Sequence, residues 1–64
     1  MRTYRVMFFP PNGAKRKVEI DDFKASYLTI DHHYYLFEDI LEKSGNRMTR
    51  KYYPQQYTIV IEDP

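Results

Sequence analysis

The sequence predicts an all-β fold: a small antiparallel curved meander or SH3-like partial barrel of five to six strands, with residues 1–64 forming one domain. Three observations point there. Segments with two-residue alternation recur along the chain. Pro10-Pro11-Asn12-Gly13 and Gly45-Asn46 supply turn chemistry between them. Seven Tyr and four Phe join the Val and Ile residues as strand formers.

A domain of this size buries only about 60% of the surface its unfolded chain exposes, so each large apolar side chain counts. There is no cysteine to supplement the core with disulfides or thiolate-bound metal. A formal net charge of +1 gives no global basic field. The longest apolar runs, such as Val6–Phe9, are too short to span a bilayer, and no basic segment precedes an apolar leader. A soluble, cytoplasmic protein without membrane association is expected.

Thr3–Phe9 alternates Tyr4, Val6 and Phe8 against Thr3, Arg5 and Met7, as a strand with one face on the core would. Pro10–Gly13 stops it, because proline donates nothing to a ladder and Asn-Gly accepts a tight turn. Lys15–Ile20 is the expected return strand, with Val18 and Ile20 inward and Asp21-Asp22 at its end. Phe23–Ala25 then makes a corner, with Phe23 tucked beneath the next hairpin.

That hairpin, Ser26–Glu38, is the expected middle of the sheet. Leu28 and Ile30 alternate with Tyr27 and Thr29 before Asp31, His32 and His33 interrupt. A three-residue loop pairs Ile30 with Tyr34 and Leu28 with Leu36, whereas a four-residue loop pairs Ile30 with Tyr35 and Leu28 with Phe37. Beyond Phe37 two readings compete. Leu36, Phe37, Ile40 and Leu41 share a helical face and Ser44-Gly45 suits a helix stop, so an α+β arrangement with a helix near residues 34–43 is the alternative. Tyr34-Tyr35 and the lack of a capping box favour a strand followed by a loop over Asp39–Asn46. Arg47–Tyr53 reads as a charged edge strand closed by Pro54. Tyr57–Glu62 is the expected last strand, burying Tyr57, Ile59 and Ile61.

The strand Tyr35–Asp39, the Gly45-Asn46 loop, the Tyr53-Pro54 strand end and the final Ile-Val-Ile-Glu run together resemble small, uncharacterised all-β proteins of bacterial and phage genomes. The resemblance spans roughly residues 26–62. It implies a fold and, by its setting, a phage-type accessory protein acting on a host component; it carries no functional residues.

No catalytic residues are expected. Ser26 and Ser44 sit in no nucleophile elbow, and Asp21-Asp22 and Glu38-Asp39 read as solvated strand ends. His32 and His33 with nearby carboxylates form the one metal-like cluster, but neighbours on extended backbone face opposite ways, so neither metal nor cofactor is expected.

Two binding surfaces remain. In each of the pairs Tyr34-Tyr35 and Tyr52-Tyr53, one ring must leave the core face. Exposed tyrosines suit protein interfaces, so Tyr34, Tyr35, Tyr52 and Tyr53, with Arg50 and Lys51, are the candidate contacts for a protein partner or for self-association. The alternative is single-stranded nucleic acid, with bases stacked on the rings of strand 46–53 and phosphates met by Arg47, Arg50 and Lys51, joined by Lys15, Arg16 and Lys17.

Overall fold

The computed structural model describes residues 1–11 and 17–63. Five strands form one antiparallel sheet: β1 (Arg2–Phe8), β2 (Glu19–Ile30), β3 (Tyr34–Glu42), β4 (Arg47–Pro54) and β5 (Thr58–Asp63). Their order is β4-β3-β2-β1-β5, and a 3-10 turn, Gln55–Tyr57, carries the chain from one edge of the sheet to the other. The fold is the small, curved all-β meander expected. There is no α-helix among the described residues, so the helical alternative for 34–43 is excluded.

The core gathers on the concave face. Tyr4, Val6, Phe23, Ala25, Phe37 and Ile40 are buried, with Leu28, Tyr35, Tyr53 and Val60 packed against them. Phe37 is the hub of its aromatic part: Tyr4, Phe23 and Tyr53 all meet it edge-on, at centroid distances of 5.0, 4.9 and 6.0 Å. Such edge-to-face contacts exploit the ring quadrupole and fix the rings relative to one another.

Several expectations are corrected. The return strand and the corner at Phe23–Ala25 are parts of a single strand, β2, that begins at Glu19 and continues through Asp21 and Asp22. The two aspartates do not end it because each finds a cation. Asp22 takes a bidentate pair of hydrogen bonds from Arg5 at 2.8 and 3.0 Å, and Asp21 accepts from Lys51. With Phe23 and Ala25 inward, alternation puts Ile20 on the outer face, where it is exposed, and Val18, which precedes the strand, is exposed as well. Of the preceding turn and strand, Asn12, Gly13, Lys15 and Arg16 lie outside the described residues.

The central hairpin takes the register of the four-residue loop, with Ile30 opposite Tyr35 and Leu28 opposite Phe37. Asp31 fixes it. Its Oδ1 accepts the N–H groups of His33 and Tyr34 at 2.7 and 2.6 Å, while its own N–H donates to the Tyr34 carbonyl. This is the Asx geometry that makes aspartate a turn former. The two backbone donors hold the Asp31 carboxyl below its usual pKa.

The expected loop from Asp39 is also strand, since β3 continues to Glu42. Asp39 does mark a break. Its φ is +54°, and it and its neighbour Ser26 drop out of the ladder while pairing resumes in the same register on both sides. Ser26 Oγ donates to Asp39 at 2.6 Å across the break. Alternation resets on both strands there, so that Ala25 and Leu28, and likewise Phe37 and Ile40, serve the same core. The β3–β4 turn closes with Gly45 at φ +92°, its N–H donating to the Glu42 carbonyl. A residue with a side chain adopts that conformation poorly.

The last strand turns the other face inward. Ile59 and Ile61 are 51% and 47% exposed, Tyr57 belongs to the 3-10 turn, and Thr58 and Val60 point to the core. The pairing of Val60 with inward-facing Val6 decides this, because partners in a ladder share a face. Phe37→Ala should cost about 3–5 kcal/mol and leave so small a domain largely unfolded. Ile61→Ala should stay within about 0.5 kcal/mol of the parent. Denaturant titrations of the two variants check both, and an Ile61→Ala penalty near that of Phe37→Ala would contradict the orientation of β5.

Candidate functional site

Across β2, β3 and β4 the register sorts the candidate side chains by face. Leu36 stands opposite Thr29 and Tyr52, and Glu38 opposite Tyr27 and Arg50. Alternation then places Tyr34, Leu36 and Glu38 with Tyr52 and Arg50 on the convex face, and Tyr35 and Phe37 with Tyr53 and Lys51 on the concave one. Burial agrees: Tyr34 and Tyr52 are 46% and 57% exposed, whereas Tyr35 and Tyr53 pack on the core.

The outer pair is ordered as well as exposed. Tyr34 and Tyr52 meet edge-to-face, with centroids 6.1 Å apart and planes at 86°. Both rings stand on paired strands rather than on a loop. Arg50 Nε lies 3.3 Å from Glu38 Oε2 beside them, and Tyr27, 64% exposed, flanks the same carboxylate. Tyr27 was not singled out from the sequence, although its place beside inward Leu28 put it on the outer face.

The inner residues do different work. Lys51 Nζ donates to Asp21 Oδ2 at 2.6 Å and to Glu42 Oε2 at 3.0 Å, and sits 4.7 Å from the centroid of the Phe23 ring. Tyr53 donates its hydroxyl proton to the same Asp21 oxygen at 2.6 Å. In the ladder, however, Lys51 opposes Phe37, which opposes Leu28. At about 3.3 Å per residue, a flat sheet would hold Leu28 roughly 23 Å from Asp21. The sheet is therefore coiled tightly enough for β4 to reach back over the start of β2. With its side chain only 10% exposed, Lys51 does not flank the outer tyrosines.

Burial pushes the Tyr53 hydroxyl up from its ordinary pKa, and Asp21's hydrogen bond and charge push it further. For Lys51, burial acts to lower the pKa, but the hydrogen bonds and charges of Asp21 and Glu42 outweigh it and hold the ammonium above its ordinary value.

The basic candidates do not assemble into one open patch among the described residues. Arg47 lies 3.8 Å from Asp39, Arg50 beside Glu38, and Lys51 within the clasp that it and Tyr53 form on Asp21 and Glu42. Lys17 is exposed before β2, and Lys15 and Arg16 lie outside the described residues. His32 and His33 occupy the hairpin tip with ring centroids 6.5 Å apart. Among the described residues no group of three His, Cys, Asp or Glu side chains could hold a metal ion. None of the described helices is long and apolar enough to cross a membrane.

No family model, curated protein or solved structure matches the chain.

Both clasp donors have folded-state pKa values above their unfolded ones, near 10.0 for tyrosine and 10.5 for lysine. Their contribution is complete below those values and is lost as pH rises through the folded ones. Thermal melts should fall more steeply above about pH 10 for the parent than for Tyr53→Phe. Lys51→Ala should cost about 1–3 kcal/mol at neutral pH, because it takes the ammonium from two partly buried carboxylates and leaves Asp21 with the Tyr53 hydroxyl alone. A Lys51→Ala protein melting with the parent would show that the clasp does not hold the coil.

Proposed function

We propose that this chain is a non-enzymatic protein-binding module whose contact surface is the convex face of β2, β3 and β4, centred on Tyr34 and Tyr52. The observation that carries this reading is the exposed edge-to-face pair they form on paired strands. Tyrosine offers a large ring, a hydroxyl and little rotamer freedom to lose, which is why it is enriched where binding energy concentrates. Here each ring already limits the other, lowering the ordering cost on association. Leu36 lies between Thr29 and Tyr52 on the same face, and Arg50 beside Glu38 adds a polar rim. A partner presenting an apolar recess edged by a carboxylate would match this arrangement.

The tyrosine face also supports base stacking, the chemistry of the single-stranded nucleic-acid alternative. That reading stands second, because Arg47 and Arg50 each lie beside a carboxylate that would compete with phosphate.

The test is affinity capture from the source cell's lysate with the parent, Tyr34→Ala, Tyr52→Ala and Tyr53→Phe proteins, followed by titration of the captured partner. Tyr52→Ala and Tyr34→Ala should each weaken binding by about 2 kcal/mol or more, roughly 30-fold, with melting little changed. Tyr53→Phe should retain the partner. Oligonucleotide binding that weakens with salt and is lost in an Arg47→Ser/Arg50→Ser protein would replace this reading with the alternative.

A further inference from the structure

The two edges of the sheet are unlike. β4 carries Arg47, Arg50 and Lys51 and ends in Pro54, the charges and proline that discourage edge pairing. β5 reads Thr-Ile-Val-Ile-Glu-Asp, with neither lysine nor proline, and among the described residues it pairs with β1 alone. Its free edge thus presents unpaired backbone groups along the most strand-prone run in the chain.

Which groups these are follows from the ladder. The Phe9 N–H donates to the Tyr57 carbonyl at 2.8 Å, one step beyond the Phe8–Thr58 pair. Phe9 and Tyr57 are therefore a hydrogen-bonded pair, and so by alternation are Met7 with Ile59 and Arg5 with Ile61. The N–H and C=O groups of Val60 and Glu62 and the C=O of Thr58 consequently point away from β1, towards the open edge, while the Thr58 N–H donates to the Gln55 carbonyl.

We infer that β5 pairs antiparallel with β5 of a second copy of this chain, about a two-fold axis at Val60, joining two sheets into one. In that register Val60 meets the partner's Val60, and the free Thr58 carbonyl meets the N–H of the partner's Glu62. Moving the axis to Ile61 would set Ile59 against the partner's Asp63 rather than the partner's Ile61. It also satisfies the charges. Glu62 lies opposite a threonine rather than another carboxylate, whereas a parallel arrangement would bring the acidic ends of both strands together. On the outer face Ile59 stands opposite the partner's Ile61, and the four exposed isoleucines of the two strands cover one another. A self-matching patch with two-fold symmetry closes at the dimer. The inference is independent of the tyrosine face, which lies on the other half of the sheet.

The chain has no cysteine, so introduced thiols report without background. Sedimentation velocity from about 10 μM to about 1 mM should show the parent rising from 7.8 kDa towards twice that mass. Ile61→Lys, a change at an exposed position, should stay at the monomer mass with an unaltered circular dichroism spectrum. Under mild oxidation, an equimolar mixture of isotope-labelled Ile59→Cys and unlabelled Ile61→Cys should give mainly mixed disulfide dimers, since only position 59 against 61 falls directly opposite. This second measurement decides the matter should Ile61→Lys fail to fold. A parent monomeric throughout, masses growing beyond the dimer, or self-linked Ile59→Cys as abundant as the mixed species would each overturn the inference. Association lost in Tyr52→Ala but kept in Ile61→Lys would overturn it too, moving self-contact to the tyrosine face.

Discussion

The coil of the sheet rests on one carboxylate. Asp21 accepts hydrogen bonds from Tyr53 and from Lys51 on the same oxygen, across the strand that lies between them, and Glu42 shares the ammonium. A sheet of this width, left flat, would bury one face of its aromatics against nothing. Drawing β4 back over the start of β2 lets Tyr53 meet Phe37, and Phe37 meet Phe23 and Tyr4. The Lys51 ammonium contributes twice, hydrogen-bonding the carboxylates and lying over the Phe23 ring. The concave face can then serve as a core without a second layer of structure to cover it.

Coiling also decides what the convex face becomes. Nothing in the described chain packs over the outside of β2, β3 and β4, so whatever alternation sends there stays accessible. Tyr34, Tyr52 and Tyr27 are sent there, and the ladder beneath them holds their spacing. A surface built on paired strands holds its side chains more firmly than one built on loops.

Much of the architecture was legible in the sequence because side-chain period is a local property. The strand at Thr3–Phe9, the hairpin around Asp31 and the edge strand Arg47–Tyr53 follow from alternation and turn chemistry alone. So does the division of each Tyr-Tyr pair between two faces. What was not legible depended on distant partners. Asp21 and Asp22 read as a strand end because two adjacent acids usually seek water; here Lys51, thirty positions on, and Arg5 supply their counterions. In β5 both alternating sets, Ile59 with Ile61 and Thr58 with Val60, include apolar residues, so the period is visible but its phase is not. Only the pairing with Val6 sets the phase. The break at Asp39 left no trace of its own, since a residue of either face can precede and follow it.

The pairing of β1 with β5 bears on the order of folding. Strands β2, β3 and β4 are joined by short turns, and β1 and β2 are neighbours in sequence, so these hairpins can form through comparatively local contacts. β5 must instead find the strand furthest from it in sequence, closing most of the chain into a loop before any contact rewards the search. During that interval β1 presents its own free edge, and Val6 is covered on one side only. A chain delayed at this step offers two vacancies at once, the bare edge of β1 and the undocked β5. The β5 of a neighbouring chain could fill the first as well as its own would, exchanging strands between molecules. The distance between these two strands in sequence thus makes concentration a variable in how the protein folds.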